Sequence, residues 1–427
     1  MENLELTPEA SPISVADRGF ACRGCGALVT RSVLNLGSTP LANSYLDQAA
    51  LAHPEPRYPL HVFICEGCQL VQLKALVSPE ELFSDYAYFS SYSSTWLEHA
   101  RRFAEMAVAR FRLSAASKVV EIASNDGYLL RNFVERGIPV LGIEPAINVA
   151  AVARAGGVPT EARFFGSACA HELRRRGEAA DLIVANNVVA HVPDLRDFLG
   201  GVAALLKSDG VLSAEFPHLL RLLQETQFDT IYHEHFSYLS LHAIEAVLAS
   251  VGLRVFDVEM VPTHGGSLRL FACRRDIARH AELPNVRMLR AAEKEGGLQD
   301  FAAYDAFARR VADCRRELIA FVSRARATGR AVAAYGAAAK GNTLLNSCGL
   351  TSRDIVCVAD RSPHKQGRYL PGSRVPVVAP ERITDVKPDY LLILPWNLRD
   401  EIMRDMAHVR EWQCRFVVAI PNITILQ

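Results

Sequence analysis

The chain has 427 residues, half of them apolar, and its 47 basic residues are matched by 47 acidic ones. That length exceeds one ordinary core, so two or three domains are expected, and the even balance argues against a nucleic-acid partner held by bulk charge. No apolar run approaches the roughly 18 residues of a membrane helix, and the N-terminus is acidic and polar, unlike a secretory signal. The expectation is a cytoplasmic protein that engages neither membrane nor nucleic acid.

Residues 1–20 read as a mobile lead. Residues 21–78 follow as a small module built on Cys22-Arg-Gly-Cys25 and Cys65-Glu-Gly-Cys68. Ten cysteines in a reducing compartment point to thiols or metal rather than disulfides. Two C-x2-C knuckles can deliver four thiolates to one tetrahedral Zn2+, and such a closed site serves folding, not chemistry. Strands are predicted at 58–65 and 69–73 between and after the knuckles. The remaining cysteines (Cys169, Cys273, Cys314, Cys348, Cys357, Cys414) are scattered and read as small buried hydrophobes.

Residues 79–276 form the next unit. Its first stretch, 85–95, is dense in hydroxyls and is either a linker or a lid in which Tyr86 reaches a ligand. A helix is predicted over 96–111. Next, Lys118-Val-Val-Glu-Ile-Ala-Ser-Asn-Asp-Gly-Tyr128 runs from a β-branched strand through small residues into a helical pattern, the layout that closes a backbone loop over a nucleotide-like ligand. Class I methyltransferases place Glu/Asp-x-Gly-x-Gly-x-Gly at this point, and Glu121, Ala123, Asn125 and Gly127 fall in that register, with Ser124 between them. Ala is nearly as small as Gly, and Asn visits positive φ more readily than most residues. Glu144 ends the next apolar run, placed to accept both hydroxyls of a ribose. Strands are predicted at 118–123, 139–144, 181–186, 210–216, 253–260 and 267–273, with helices at 194–207 and 240–250 between them. The alternation predicts a doubly wound, mostly parallel sheet whose last two strands close as an antiparallel hairpin, the feature that separates a methyltransferase sheet from the dinucleotide type. Asn186, Asn187 and His191 lie just past a strand's C-terminal end, where ligands collect in such sheets.

A charged helical connector is expected over 277–327, and a second Rossmann-like unit over 328–427. Its strand 331–335 runs into the turn 336–342, where Gly336, Lys340 and Gly341 read either as a phosphate cradle or as a tight strand–helix turn. Asn342, Lys365 and Asn397 are further candidate ligands. Strands follow at 355–360, 390–394 and 415–420. Asp360 stands where a dinucleotide domain carries its ribose acid, so a nicotinamide-binding reading stays open.

The densest chemistry is Tyr232-His-Glu-His-Phe-Ser-Tyr238. A histidine beside a carboxylate and phenols supplies a base poised near neutral pH, a group to orient it and a donor. A metal site on the His-x-His pair lacks further ligands at convincing spacing. An extended segment would put His233 and His235 on one face and Tyr232 and Glu234 on the other, so a loop is predicted to bring all four to one ligand. Which of the two histidines is the base stays open from the residues alone.

Taken together, the two cysteine pairs, Glu-Ile-Ala-Ser-Asn-Asp-Gly (121–127), the 232–238 cluster, His-Gly-Gly-Ser-Leu-Arg (264–269), Tyr-Gly-Ala-Ala-Ala-Lys-Gly-Asn-Thr (335–343) and Pro-His-Lys-Gln-Gly (363–367) resemble the sugar C-methyltransferases of antibiotic biosynthesis. The resemblance implies an α/β protein: a class I methyltransferase sheet that binds S-adenosylmethionine, flanked by an N-terminal zinc module and a second Rossmann-like domain that helps hold a TDP-linked ketodeoxysugar. It implies His235 as the base, with Tyr232, Glu234, His191 and Tyr86 as hydrogen-bonding partners. His233, Gly336, Lys340, Asn342, Lys365 and Asn397 are expected toward the substrate. The expected reaction removes a proton beside the 4-ketone and methylates carbon, with C3 expected ahead of C5, in a monomer. Two rivals stand: an RNA or protein methyltransferase docked through zinc, and a nucleotide-sugar oxidoreductase.

Overall fold

The computed structural model describes residues 19–83, 90–92 and 94–426. Its centre is a seven-stranded sheet in the spatial order Leu253–Val261, Ser267–Arg274, Leu206–Pro217, Ala180–Asn186, Val119–Ile122, Val140–Ile143, Thr160–Glu161. The five strands from Leu206–Pro217 outward to Thr160–Glu161 are parallel. Their central residues are buried on both faces, which is why Leu182–Ala185 and Val140–Ile143 read as unbroken apolar runs. Ser267–Arg274 slots antiparallel between Leu206–Pro217 and Leu253–Val261, the expected closing hairpin.

Four thiols gather at the N-terminal end on a hairpin, Phe20–Ala21 with Leu28–Val29, and on the turn before Val71–Leu73. The adjoining antiparallel sheet runs Arg31–Thr39, Tyr58–Ile64, Val71–Leu73, and its edge is supplied from far along the chain by Ser237–Tyr238. A six-stranded sheet forms the C-terminal part: Val377–Val378, Val358–Ala359, Val332–Tyr335, Tyr390–Ile393, Arg415–Val418 and an antiparallel Thr424–Leu426.

Two expectations shift here. The strand expected at 355–360 contracts to Val358–Ala359, and the helix after Val332–Tyr335 begins at Ala339, so Lys340 and Asn342 sit in its first turn rather than in the loop. Gly336 makes the bend alone, at φ +91°, and the alanines that follow favour helix.

The stretch between the two large sheets is more than a connector. Pro284–Glu295 packs on the central domain, and its buried Glu293 carboxylate accepts the backbone N–H groups of Leu241 (2.6 Å) and His242 (2.9 Å) at the start of helix Leu241–Ser250, together with His218 Nε2–H at 2.7 Å. A carboxylate at a helix N-terminus satisfies amides that have no intrahelical partner. Glu293→Ala is therefore expected to cost about 2–4 kcal/mol, read as a lower urea midpoint, because three buried donors lose their acceptor together.

Candidate active site

The carboxyl edge of the central sheet carries a cluster of strained backbone. Ala123 (φ +55°), Asn125 (φ +49°) and Gly127 (φ +78°) all adopt the left-handed conformation that glycine usually supplies, and Asn187 (φ +54°) and His264 (φ +55°) join them on neighbouring loops. A side chain in this region costs on the order of 1 kcal/mol, so the loop shape is retained where two glycines have been replaced. Glycine is required at 127 itself, where an added Cβ would meet Val158 Cγ2 at 2.8 Å.

Around this loop the buried polar atoms are unusually short of partners. Glu121 Oε2, Ser124 Oγ, Asp126 Oδ1, Asn186 Oδ1 and both amide atoms of Asn187 have no hydrogen bond among the described residues. Burial, then the neighbouring Glu144 and Asp126, pushes the Glu121 carboxyl well above its usual range. Glu144 accepts Asn125 N–H and Ala146 N–H at 2.9 Å each, one per oxygen, which leaves a lone pair on each oxygen for a ligand. Ser90 N–H reaches Asn125 Oδ1 (2.9 Å) and Ser91 N–H reaches Asp126 Oδ2 (3.1 Å), bringing the preceding segment across the loop. Tyr86 lies outside the described residues. Orphaned donors and acceptors beside a left-handed loop fit an adenosine cofactor.

The 231–236 segment is a loop, as expected, but it sends its side chains two ways. His235 and Tyr232 face inward. The His235 Nδ1–H donates to Thr230 O at 2.7 Å, since a carbonyl can only accept. Nε2 therefore holds the lone pair and accepts the Tyr232 hydroxyl at 2.7 Å. Burial, then the His191 ring at 4.6 Å, holds His235 well below the usual imidazole value, so it is neutral. His191, hydrogen-bonded to the Glu234 backbone, is pushed down to about 4 by burial.

His233 and Glu234 turn toward the zinc module instead. His233 Nε2 donates to Tyr58 O (3.2 Å), and Glu234 Oε1 accepts Asn43 Nδ2–H at 2.6 Å. A single ligand does not meet all four side chains, and the Thr230 carbonyl, not a carboxylate, orients the His235 ring. Burial raises the Glu234 carboxyl to about 7.

The C-terminal candidates divide likewise. Lys340 reaches the His264 carbonyl and Asn397 Oδ1, both at 3.3 Å, beside the imidazole cluster. Asn342 donates to the Ala42 carbonyl at 2.6 Å and ties two domains. Gly336 is a packing residue: its N–H donates to Ala359 O, and an added Cβ would lie 2.4 Å from Pro395 Cδ. It is not a free cradle for phosphate. Lys365 is held on Ala337 O at 2.7 Å and 3.7 Å from Asp360. Asp360 itself accepts Ala337 N–H and Ser362 N–H, one per oxygen.

Sequence reasoning assigned no role to His264, Trp96, His99, Glu215 or Arg269. Trp96 stacks on His99 (4.9 Å between centroids) and lies 5.2 Å from His264. Glu215 accepts from Arg269 Nη2 (2.7 Å) and the Thr263 hydroxyl (2.7 Å), with His99 Nε2 at 2.9 Å, and this company pulls its carboxyl down to about 2 despite burial. The paired glycines after His264 were the available signal, because consecutive positive φ values at 265 and 266 set the loop's shape.

The four cysteine sulfurs lie within 4.8 Å of one another, with Cys22–Cys68 and Cys25–Cys65 at 3.5 Å. Tetrahedral thiolates at a Zn–S distance of about 2.3 Å sit about 3.8 Å apart, so the set fits Zn2+. Beside Cys22, the Arg23 guanidinium donates to the carbonyls of Phe236 and Leu73, and Leu73 N–H also reaches Phe236 O at 2.9 Å. The metal knuckle thus grips the end of the histidine loop.

Residues 22–83 match a zinc binding domain family, 96–258 a methyltransferase domain family, and 262–421 the C-methyltransferase C-terminal domain family. The C-methyltransferase NovU of Streptomyces niveus is 38% identical over 405 residues, spanning 95% of this chain and 96% of that protein. The chain belongs to this C-methyltransferase family. It is an S-adenosylmethionine-dependent C-methyltransferase with a four-cysteine zinc site. A ubiquinone biosynthesis O-methyltransferase of Rhodopseudomonas palustris (strain BisB5) is 28% identical over 158 residues, 32% of this chain and 62% of that protein. Among solved structures, the Burkholderia thailandensis 1,6-didemethyltoxoflavin-N1-methyltransferase (19% identity, 48% of this chain, 95% of that one) gives a TM-score of 0.35. The magnesium protoporphyrin IX methyltransferase of Synechocystis PCC 6803 (14%, 46%, 88%) gives 0.32. No helix among the described residues of this C-methyltransferase is long and apolar enough to cross a membrane.

Stripping Zn2+ with a strong chelator is expected to lower methyl transfer about 10-fold or more while calorimetric affinity for S-adenosylhomocysteine holds. The knuckle positions the histidine loop and not the cofactor edge.

Proposed function

We propose that this C-methyltransferase acts on a TDP-linked 4-keto-deoxysugar and methylates the carbon beside the ketone, at C3. The observation that carries the reading is the neutral His235, with its Nδ1–H fixed on Thr230 and its Nε2 lone pair turned to Tyr232. Carbon next to a ketone becomes nucleophilic only after losing a proton, and a buried neutral imidazole is a suitable sink for it. The proton leaves to the Tyr232–His235 pair and comes to rest on Nε2. Bound S-adenosylmethionine supplies a methyl on a positively charged sulfur, which the carbanion displaces.

On the cofactor side, the carboxylate of Glu144 takes the ribose hydroxyls, and Asn186, Asn187, Ser124 and the loop from Ala123 to Gly127, with Glu121 beneath it, hold the remainder. His191 adds to the sugar's surroundings, and Tyr86 is assigned a hydrogen bond to the sugar on the family resemblance. Glu234, bound to Asn43, and His233, bound to Tyr58, support the loop from behind. Lys340 and Asn397 face the substrate from the C-terminal domain, where the nucleoside diphosphate also lies. Asn342 holds that domain against the N-terminal module. The residues named for this site all come from one polypeptide, and a monomer is proposed.

His235→Gln is expected to keep S-adenosylhomocysteine affinity near wild type while turnover falls about 10²-fold or more, measured with a TDP-4-keto-6-deoxyhexose; near-normal turnover would remove His235 from the mechanism. The pH profile provides a second check. The base works when neutral, and its folded pKa lies well below the ordinary 6.5, so protonation switches it off only at lower pH. The acid limb of kcat is accordingly expected below pH 6.5.

A further inference from the structure

Lys340 is part-buried in the cleft between the central and C-terminal domains, and no carboxylate lies within 4 Å of its ammonium among the described residues. Its two oxygen partners, the His264 carbonyl and Asn397 Oδ1, are neutral and distant at 3.3 Å, and the Trp396 ring centroid stands 4.9 Å away. The nearest acid, Asp229, spends one oxygen on Trp396 Nε1–H at 2.8 Å. A half-desolvated ammonium held this way is left with unmet charge, so it suits an anion that arrives with the substrate.

Two anions qualify: the diphosphate, and the oxygen that turns negative during reaction. The direction of the helix decides between them. One turn after Lys340, on the same face, Thr343 donates to the Ile231 carbonyl at 2.9 Å, next to Tyr232. Asn342, on another face, reaches away to Ala42. Asp229, which faces Lys340, precedes the Thr230 whose carbonyl orients His235. The ammonium is near enough to lower the basicity of both His235 and His264.

We propose that Lys340 is a catalytic residue that pairs with the ketone oxygen of the substrate as it becomes an enolate, and does not bind the diphosphate. This rests on the ketosugar reading above. When the C–H bond beside the ketone breaks, its proton goes to His235 Nε2, its electron pair forms the C=C bond, and the carbonyl π pair moves onto oxygen opposite the ammonium. Methyl capture by carbon then re-forms the C=O bond and the charge on oxygen disappears.

The test separates binding from proton removal. With S-adenosylhomocysteine bound, in D2O, the wild-type enzyme is expected to place deuterium beside the ketone of a TDP-4-keto-6-deoxyhexose and to bind TDP alone. Lys340→Gln is expected to bind TDP within about 2-fold of wild type, while deuterium exchange and methyl transfer both fall about 10²-fold or more. Lys340→Arg keeps the charge and is expected to recover about 10-fold of the loss; it carries the same test should the glutamine variant fold poorly. Weakening of TDP alone by about 10-fold or more, or exchange at the wild-type rate, would overturn the assignment. A wild-type enzyme that neither binds TDP nor exchanges deuterium would instead remove the ketosugar reading, and this role with it.

Discussion

The backbone of residues 230–236 is where the three parts of the chain meet. Arg23 of the first metal knuckle takes the Phe236 carbonyl, Thr343 of the C-terminal helix takes the Ile231 carbonyl, and within the loop the His235 ring takes the Thr230 carbonyl. A buried carbonyl without a donor costs about 1–3 kcal/mol, so each partner is a requirement of the fold as well as of the site. The consequence is an imidazole, His235, whose loop is held jointly by groups from the N-terminal and C-terminal parts. The central sheet alone does not orient it.

Electrostatics in this cleft follow from the same packing. His191, His235 and His264 are all held neutral by burial, and the Lys340 ammonium is near enough to His235 and His264 to lower their basicity further. Glu121, Asp126 and Glu144 collect instead at the left-handed loop, where burial raises the carboxyls of Glu121 and Glu144.

Much of the architecture was legible in the residues. Leu182–Val184 and Val140–Ile143 are unbroken apolar runs because helices cover both faces, and the Pro262 to Gly266 turn announces the antiparallel hairpin. The cysteine spacing was legible because four thiolates converging on one metal leave little freedom. The register of Ala123, Asn125 and Gly127 was legible too, since all three have the positive φ that the glycine pattern demands. What escaped were pairings with no local signature. Nothing near Ser237 marks it as the edge of a sheet begun at Arg31, and nothing in Glu234 points to Asn43. The 232–238 cluster was recognisable as chemistry, yet how its side chains divide depends on Tyr58 and Asn43, which are remote in sequence. Lys340 falls in the first turn of a helix rather than in the loop after Gly336, because the alanines that follow that glycine favour helix.

Glu293 gives the region between the sheets a different meaning from that of a tether. Its carboxylate seals the front of a helix that belongs to the preceding domain, so the boundary between the two halves is stitched across rather than hinged. Cutting the backbone at the exposed stretch 275–283 would sever a covalent link without freeing either piece, and the nicked protein would still behave as a single body. Truncated versions ending there would expose the amides of Leu241 and His242 to no acceptor, so an excised methyltransferase domain is a poor stand-in for the whole enzyme.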